Sequence, residues 1–260
     1  MHFDSPKLIR LLAGFGGAAA PDSRQSFAER LGQWLAVTDA VPLSAVLDAP
    51  SPQSAGARPS FDPEGVVEAK MALTALRTDF ADSLTAGGTP DRVKAANGRA
   101  AIRRAAIRLP ELEPEPQASI EAAPDFAPYR RYYMACQREM KTRIDPLRRQ
   151  LRDALSRRSS PLRRLAALDA VFEQALAERE RSLLATVPGA LARRFEQLYQ
   201  AHRAALAQTV AADDPARWLA PGGWLATFRT EMHDVARAEL ELRLQPLDGL
   251  AAALDNEATG

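Results

Sequence analysis

Three kinds of residue in this chain could do chemistry: acids set among apolar neighbours, histidines, and a single cysteine, Cys136. In "ERLGQWLAVTDAVPLSAVLDAP", residues 29–50, Asp39 lies among Trp34, Leu35, Val37, Val41, Leu43, Val46 and Leu47. Asp169, in "RLAALDAVFEQAL", and Glu239 are placed in the same way. Such an acid can become a general acid when burial raises its pKa, but catalysis needs a second polar group in the same cleft. No spacing in the sequence supplies one. His2, His202 and His233 are the whole histidine stock, and none has another His or Cys at helical-face spacing, so no metal-ligand set is spelled out. His202 falls on an apolar stripe and reads as a hydrogen-bonded core histidine; Cys136 reads as a small core hydrophobe. Gly14, Gly16 and Ala19 in "GFGGAA" match a relaxed dinucleotide-binding pattern, yet they follow a helix where that mechanism needs a strand. We therefore expect no catalytic residue, no metal and no cofactor.

The same residues are better read as architecture. Asp39 is expected to be a cap or ion-pair acid beside a packed Trp34. Arg179 falls on the stripe that runs from Leu165 to Leu183, where a buried guanidinium demands a carboxylate. Asp169 is expected to serve a structural pairing of that kind.

The elements that position these residues are helices. A small polar residue followed by proline recurs at Ser5-Pro6, Asp62-Pro63, Thr89-Pro90, Asp145-Pro146, Ser160-Pro161 and Asp214-Pro215, a start signature in which the side chain accepts an orphan backbone N–H and proline lacks one. Apolar residues step by three and four through Val66, Ala69, Leu73, Leu76, Phe80 and Leu84, with Gly87-Gly88 as a stop. They do so again through Tyr129, Tyr133, Cys136, Met140, Ile144, Leu147 and Leu151. Further series run from Leu165 to Leu183, from Leu191 to Leu206 through His202, and from Leu225 to Leu242. Pro146 and Pro188 should kink or restart the patterns they interrupt. The spacing predicts an all-α fold, a multi-helix array of amphipathic antiparallel helices.

With 260 residues, 46% of them hydrophobic, the chain can build a real core, and its formal charge of +1 creates no global field. One cysteine suits a reducing compartment, and Asp4 and Arg10 break up an otherwise signal-like start, so we expect a cytoplasmic protein without a membrane span. Two Pro-rich stretches divide the chain. N-terminal helices occupy 1–48, a linker 49–61, a middle helical segment 62–109, an acidic linker 110–125, and a C-terminal helical array 126–260.

Local charge is the feature with functional content. Residues 130–164 hold twelve Lys or Arg against Glu139, Asp145 and Asp153. At about 100° per residue, Arg130, Arg131, Arg138, Lys141, Arg148, Arg149 and Arg152 share one sector of a helix. The ridge reads first as a solvated face paired within the chain to the acidic linker, Glu111, Glu113, Glu115 and Glu121, and to the acidic C-terminal helix. As a functional surface it is our candidate for a protein partner, acidic or helical, ahead of nucleic acid or anionic lipid. Nucleic acid is the alternative ligand of the Arg130–Arg164 stretch, although no recognition-helix motif frames it.

The segments "FAERLGQWLAVTDAVPLSAVLDA", "YRRYYMACQREMKTRIDPLRRQLRDAL", "SPLRRLAALDAVFEQALAERERSLLATVPGALARRFEQLY" and "AELELRLQPLDGLAAAL" together resemble a family of proteobacterial proteins described as a domain of unknown function. The resemblance implies no activity, cofactor or catalytic residue. It does imply a companion of a gene cluster for a helical membrane protein and a peptidoglycan-binding envelope protein, hence an accessory subunit at the cytoplasmic side of an envelope complex.

Overall fold

A computed structural model describes residues 6–16, 37–48, 63–85, 125–209 and 213–258. Among these the helices are α1 (Lys7–Gly16), α2 (Val37–Asp48), α3 (Pro63–Thr85), α4 (Ala127–Ser156), α5 (Ser160–Leu184), α6 (Val187–Thr209) and α7 (Trp224–Ala258), with a 3-10 turn at Pro215–Arg217. No strand occurs among the described residues. The fold is an all-α multi-helix array.

Where the start signature can be inspected, its success depends on what surrounds the proline. α3 begins at Pro63, and α5 begins at Ser160, but the N-cap position is Ser159 rather than Ser160 and its side chain makes no capping bond, so the proline and not the serine marks this start. At the 3-10 turn, the Asp214 carboxylate accepts the Ala216 backbone N–H at 3.1 Å. Pro188 lies in the first turn of α6, where its missing N–H has no intrahelical acceptor to lose. Asp145-Pro146 is the exception: it neither starts nor ends a helix but lies inside the continuous α4. Pro146 is exposed, so its lost donor faces solvent, where water can take the place of the backbone partner. Pro246 is likewise inside α7 and exposed. Thr89-Pro90, the Gly87-Gly88 stop, and both linkers apart from Asp125 lie outside the described residues.

The contacts divide the chain into two compact units that interleave the sequence segments. The first holds the described parts of Met1–Ala20, Arg77–Lys141 and Thr186–Leu242. Its core is aromatic. Phe195 and Phe228 meet edge to face at 5.0 Å, Tyr129 meets Phe228 at 5.3 Å, and Trp224 meets Phe195 at 5.2 Å, geometries that ring quadrupoles favour. α1 packs on α6 here, and a two-pronged Arg194–Glu231 pair at 2.7 and 2.6 Å ties α6 to α7.

The second unit holds the described parts of Pro21–Leu76, Thr142–Ala185 and Arg243–Gly260. Its core is aliphatic: Leu73, Leu76, Ile144, Leu147, Leu151, Leu155, Leu244, Leu247 and Leu254 are all buried. α4 and α5 form a hairpin here, and α2 packs on α5. The stripe expected on α5 is only half covered. Leu165, Leu168, Phe172 and Leu176 are intermediate in exposure, and Leu183 is 55% exposed while its neighbour Leu184 is buried. One step of about 100° separates these two leucines, so the packing partner decides which of them turns inward.

The approach to α7 is a tight turn. Asp213 Oδ1 receives the Trp218 indole N–H at 2.9 Å and lies 3.0 Å from His202 Nε2, pinning the turn to α6. The carboxyl of Asp213 is held below its ordinary range: burial opposes this, and the hydrogen bonds from Trp218 and His202 outweigh it. Gly222 adopts φ of 84°, in the left-handed region. A Cβ on Gly223 would stand 2.3 Å from the Trp218 carbonyl oxygen and 2.4 Å from that of Arg217. Gly223→Ala should therefore force the backbone apart and destabilise the fold by on the order of 1–3 kcal/mol. Gly249→Ala, where nothing lies within 4 Å of the new atom, should be neutral or stabilising; paired denaturant melts check the contrast.

Candidate partner-binding face

Each candidate residue from the sequence can now be placed. Trp34 lies outside the described residues. Asp39 is on α2, and its side chain lies outside them as well. Asp169 is mostly buried and takes both prongs of the Arg148 guanidinium, Nε at 2.9 Å and Nη2 at 2.6 Å. Arg152 adds a bond to Asp169 at 3.3 Å and pairs with Glu173. Burial alone would lower the Arg148 pKa, but the hydrogen bonds it donates to Asp169 and the charges of Asp169, Glu173 and Glu180 raise it instead. The acid on the apolar face is thus the centre of an ion-pair network between α4 and α5. The arginine it holds is not Arg179, which is exposed rather than buried in the stripe.

This network changes the reading of the basic ridge. All seven cations share a sector of α4 by angle, yet α5 covers that sector over its later turns. Arg148 and Arg152 are only 13% and 16% exposed and are committed to carboxylates, so they are not part of a solvent-facing ridge. Arg149, one step round the helix, stays exposed.

What remains is a strip on the first half of α4. Arg130, Arg131, Arg138 and Lys141 are exposed around Met134, itself 44% exposed. Arg130 and Arg131 make no ion pair among the described residues, whereas Arg138 and Lys141 keep contacts within the chain. The one acid of α4 within this stretch, Glu139, lies about 80° round the helix from the nearest strip residue, Arg131. Beneath the strip the helix is fixed by a buried carboxylate. Glu239 on α7 has no exposed surface. It accepts the Tyr133 hydroxyl at 2.7 Å, while Gln137 Nε2 stands 3.1 Å from each of its oxygens.

The groups with chemical potential in this unit are spent on packing. Cys136 is fully buried, and desolvation pushes its thiol up to about 12, so it is not a thiolate at neutral pH. His202 is held by Asp213 between Trp218 and Trp224. It is hydrogen-bonded as expected but half-buried rather than core. His233 is elsewhere, its ring 5.9 Å from that of Tyr132. Burial, then the charges of Arg229 and Arg237, lower it to about 4 against the opposing charge of Asp234. Tyr132 was missed in the sequence because the stripe was assigned to Tyr133. Its hydroxyl is buried beside Cys136 without an ordinary hydrogen bond, and burial first, then Cys136, raises its pKa. A cleft of about 200 Å³ in the second unit is lined by Gly65, Val66, Gln150, Asp153, Arg157 and Arg158 among others, and by none of the histidines or candidate acids. Among the described residues no helix is long and apolar enough to cross a membrane.

An all-α array with a basic surface strip is a class shared by many proteins. The family is narrower: the chain belongs to the family described as "Protein of unknown function (DUF3348)", whose model matches residues 1–256. No curated protein and no solved structure matches the chain.

Two outcomes follow. Replacing Arg148 and Arg152 together by Gln should destabilise the chain by on the order of 3 kcal/mol, because Asp169 is left buried and unpaired. Arg130→Gln with Arg131→Gln should leave the melting curve almost unchanged. Chemical denaturation of both variants tests this. For His233, the unfolded chain binds a proton as pH falls through 6.5 while the folded chain resists until about 4. Its contribution is therefore complete above 6.5 and lost on acidification through that window, at most on the order of 3 kcal/mol. His233→Phe should show a shallower fall in stability between these pH values than the parent chain, measured by urea melts at several pH values.

Proposed function

We propose that this chain is a non-enzymatic helical interaction protein, an adaptor that acts by holding another protein. The observation that carries this reading is the strip of Arg130, Arg131, Arg138 and Lys141 around an exposed Met134. Cations beside an exposed apolar side chain form a patch of the kind that partner proteins bind. The engagement of Asp169, Glu239 and His202 in structural hydrogen bonds supports it further. The resemblance noted in the sequence gives a setting: a proteobacterial accessory subunit, cytoplasmic, working against the inner side of an envelope complex and reaching the membrane through its partner.

Nucleic-acid binding through the Arg130–Arg164 stretch is the second reading, favoured by its charge surplus. Against it, Tyr129, Tyr132 and Tyr133 are all core residues, 8%, 1% and 0% exposed, and cannot stack on bases.

The test is affinity capture by the full chain from native extract of the source cell, with and without nuclease, beside Arg130→Glu/Arg131→Glu. We expect proteins that survive nuclease and are lost from the variant. Capture that nuclease abolishes favours the second reading, and capture indifferent to the variant overturns the use of this strip.

A further inference from the structure

We propose that the strip on α4 receives an acidic amphipathic helix of the partner protein. The partner's carboxylates meet Arg130, Arg131, Arg138 and Lys141, and one apolar side chain seats on Met134. This rests on the adaptor reading and names the chemistry of its partner.

Four features lead there. First, the recognising surface is the side of a continuous helix, Ala127–Ser156. Its backbone donors and acceptors are used internally, so an added strand would find no main-chain partner and recognition falls to side chains alone. Second, the strip is narrow and straight. Arg130, Arg131, Met134, Arg138 and Lys141 fall within roughly 100° of arc over roughly 16 Å of axis, three turns, which is the footprint of one helix laid along another at the usual interaxial distance. Third, the charge is of one sign with an apolar centre. Between Arg130 and Lys141 no acid of α4 lies in this arc, and Asp145 bounds it one turn further on, so facing carboxylates meet attraction over the length of the strip itself, and Met134 supplies an adaptable contact between them. Fourth, a second copy of this chain is a poor occupant. A two-fold arrangement would set the arginines of one strip against those of the other, and like charges across an interface are repelled.

The anchors are Arg130 and Arg131. They are exposed without ion pairs among the described residues, and the helix that carries them is held from below by Tyr133, Gln137 and Glu239. The strip is thus presented on a rigid element, and little ordering is needed on docking.

The experiment titrates the full chain into fluorescently labelled synthetic peptides and follows anisotropy at low and high salt. One peptide is an alanine-based helix with Glu placed to face the four cations and a Leu between them. A second has the same composition with the acids spread around the helix. A short DNA duplex and anionic phospholipid vesicles are titrated in parallel. We expect the patterned peptide to bind at least roughly tenfold more tightly than the scrambled one. Arg130→Glu/Arg131→Glu should abolish that preference and flatten the salt dependence, whereas Met134→Ser should weaken binding several-fold with the salt dependence intact. Circular dichroism of each variant confirms that it is folded, and Arg130→Gln/Arg131→Gln serves in place of the charge reversal if that variant is not.

Equal binding of patterned and scrambled peptides overturns the proposal, as does tighter binding of duplex or vesicles than of the patterned peptide. If that occurs while captured proteins are still lost from the Arg130→Glu/Arg131→Glu chain, the adaptor reading stands with a partner of other shape. Loss of both results removes both.

Discussion

Glu239 is a carboxylate with no solvent contact, supplied by α7 to the face that α4 turns inward through Tyr133 and Gln137. A buried charge of this kind is tolerable only where donors meet it, since the cost of leaving it unsatisfied exceeds that of most single contacts. The Tyr133 hydroxyl at 2.7 Å and the Gln137 amide at 3.1 Å meet it from consecutive turns of α4. These bonds do more than neutralise a penalty. They are directional, so they fix both the rotation of α4 and its register against α7. With Tyr129, Tyr132, Tyr133, Cys136 and Met140 turned inward, Arg131, Met134 and Arg138 fall on the opposite side of the helix, and Arg130 and Lys141 flank them, all exposed. The surface that we assign to a partner is thus the outer consequence of an inner hydrogen-bond requirement.

The two units solve the problem of cohesion differently. In one, rings meet edge to face and polar groups are threaded among them: the indole of Trp218 on Asp213, the phenol of Tyr133 on Glu239. In the other the core is leucine-rich, and a poorly exposed ion-pair network forms where Arg148 and Arg152 converge on Asp169 and Glu173. Ion pairs this poorly exposed are weak contributors to net stability but strong constraints on geometry, because every wrong register leaves a charge buried and alone. The network fixes how the α4–α5 hairpin closes, in the way that the Glu239 cluster fixes α4 against α7.

Much of this was legible in the sequence, and the residues that were not share a cause. The periodicity from Val66 to Leu84 and from Tyr129 to Leu151 names buried positions, all of which are core except the half-buried Val66, because a helix held against a large apolar neighbour buries a stripe of fixed period. The α5 series failed at Leu183 and gave Arg179 a burial it does not have, because only half of that helix's stripe is covered. The chemistry of Asp169 was foreseen as a structural pairing, but its partner was not, since Arg148 is 21 residues away and no local spacing encodes a hairpin's register. The Asp213–His202–Trp218 clasp and the Tyr132–His233 contact bring together residues from different elements in the same way, and no pattern along the chain announces them.

What the sequence determined by itself is therefore one-dimensional: helices wherever strong formers repeat at a period of about 3.6 residues, a few of their starts at prolines, as at Pro63 and Pro161, one inward stripe for each, and a surplus of positive charge on residues 130–164. These depend on bonds and contacts within a few turns, which the local order of side chains fixes. Tertiary structure alone decided which cations of that surplus face water. Arg130 and Arg148 occupy the same angle on one helix, five turns apart, and are identical in type. One is exposed and the other grips Asp169 of α5. Burial is a property of the neighbour across the gap, and a sequence read along its own axis does not contain that neighbour.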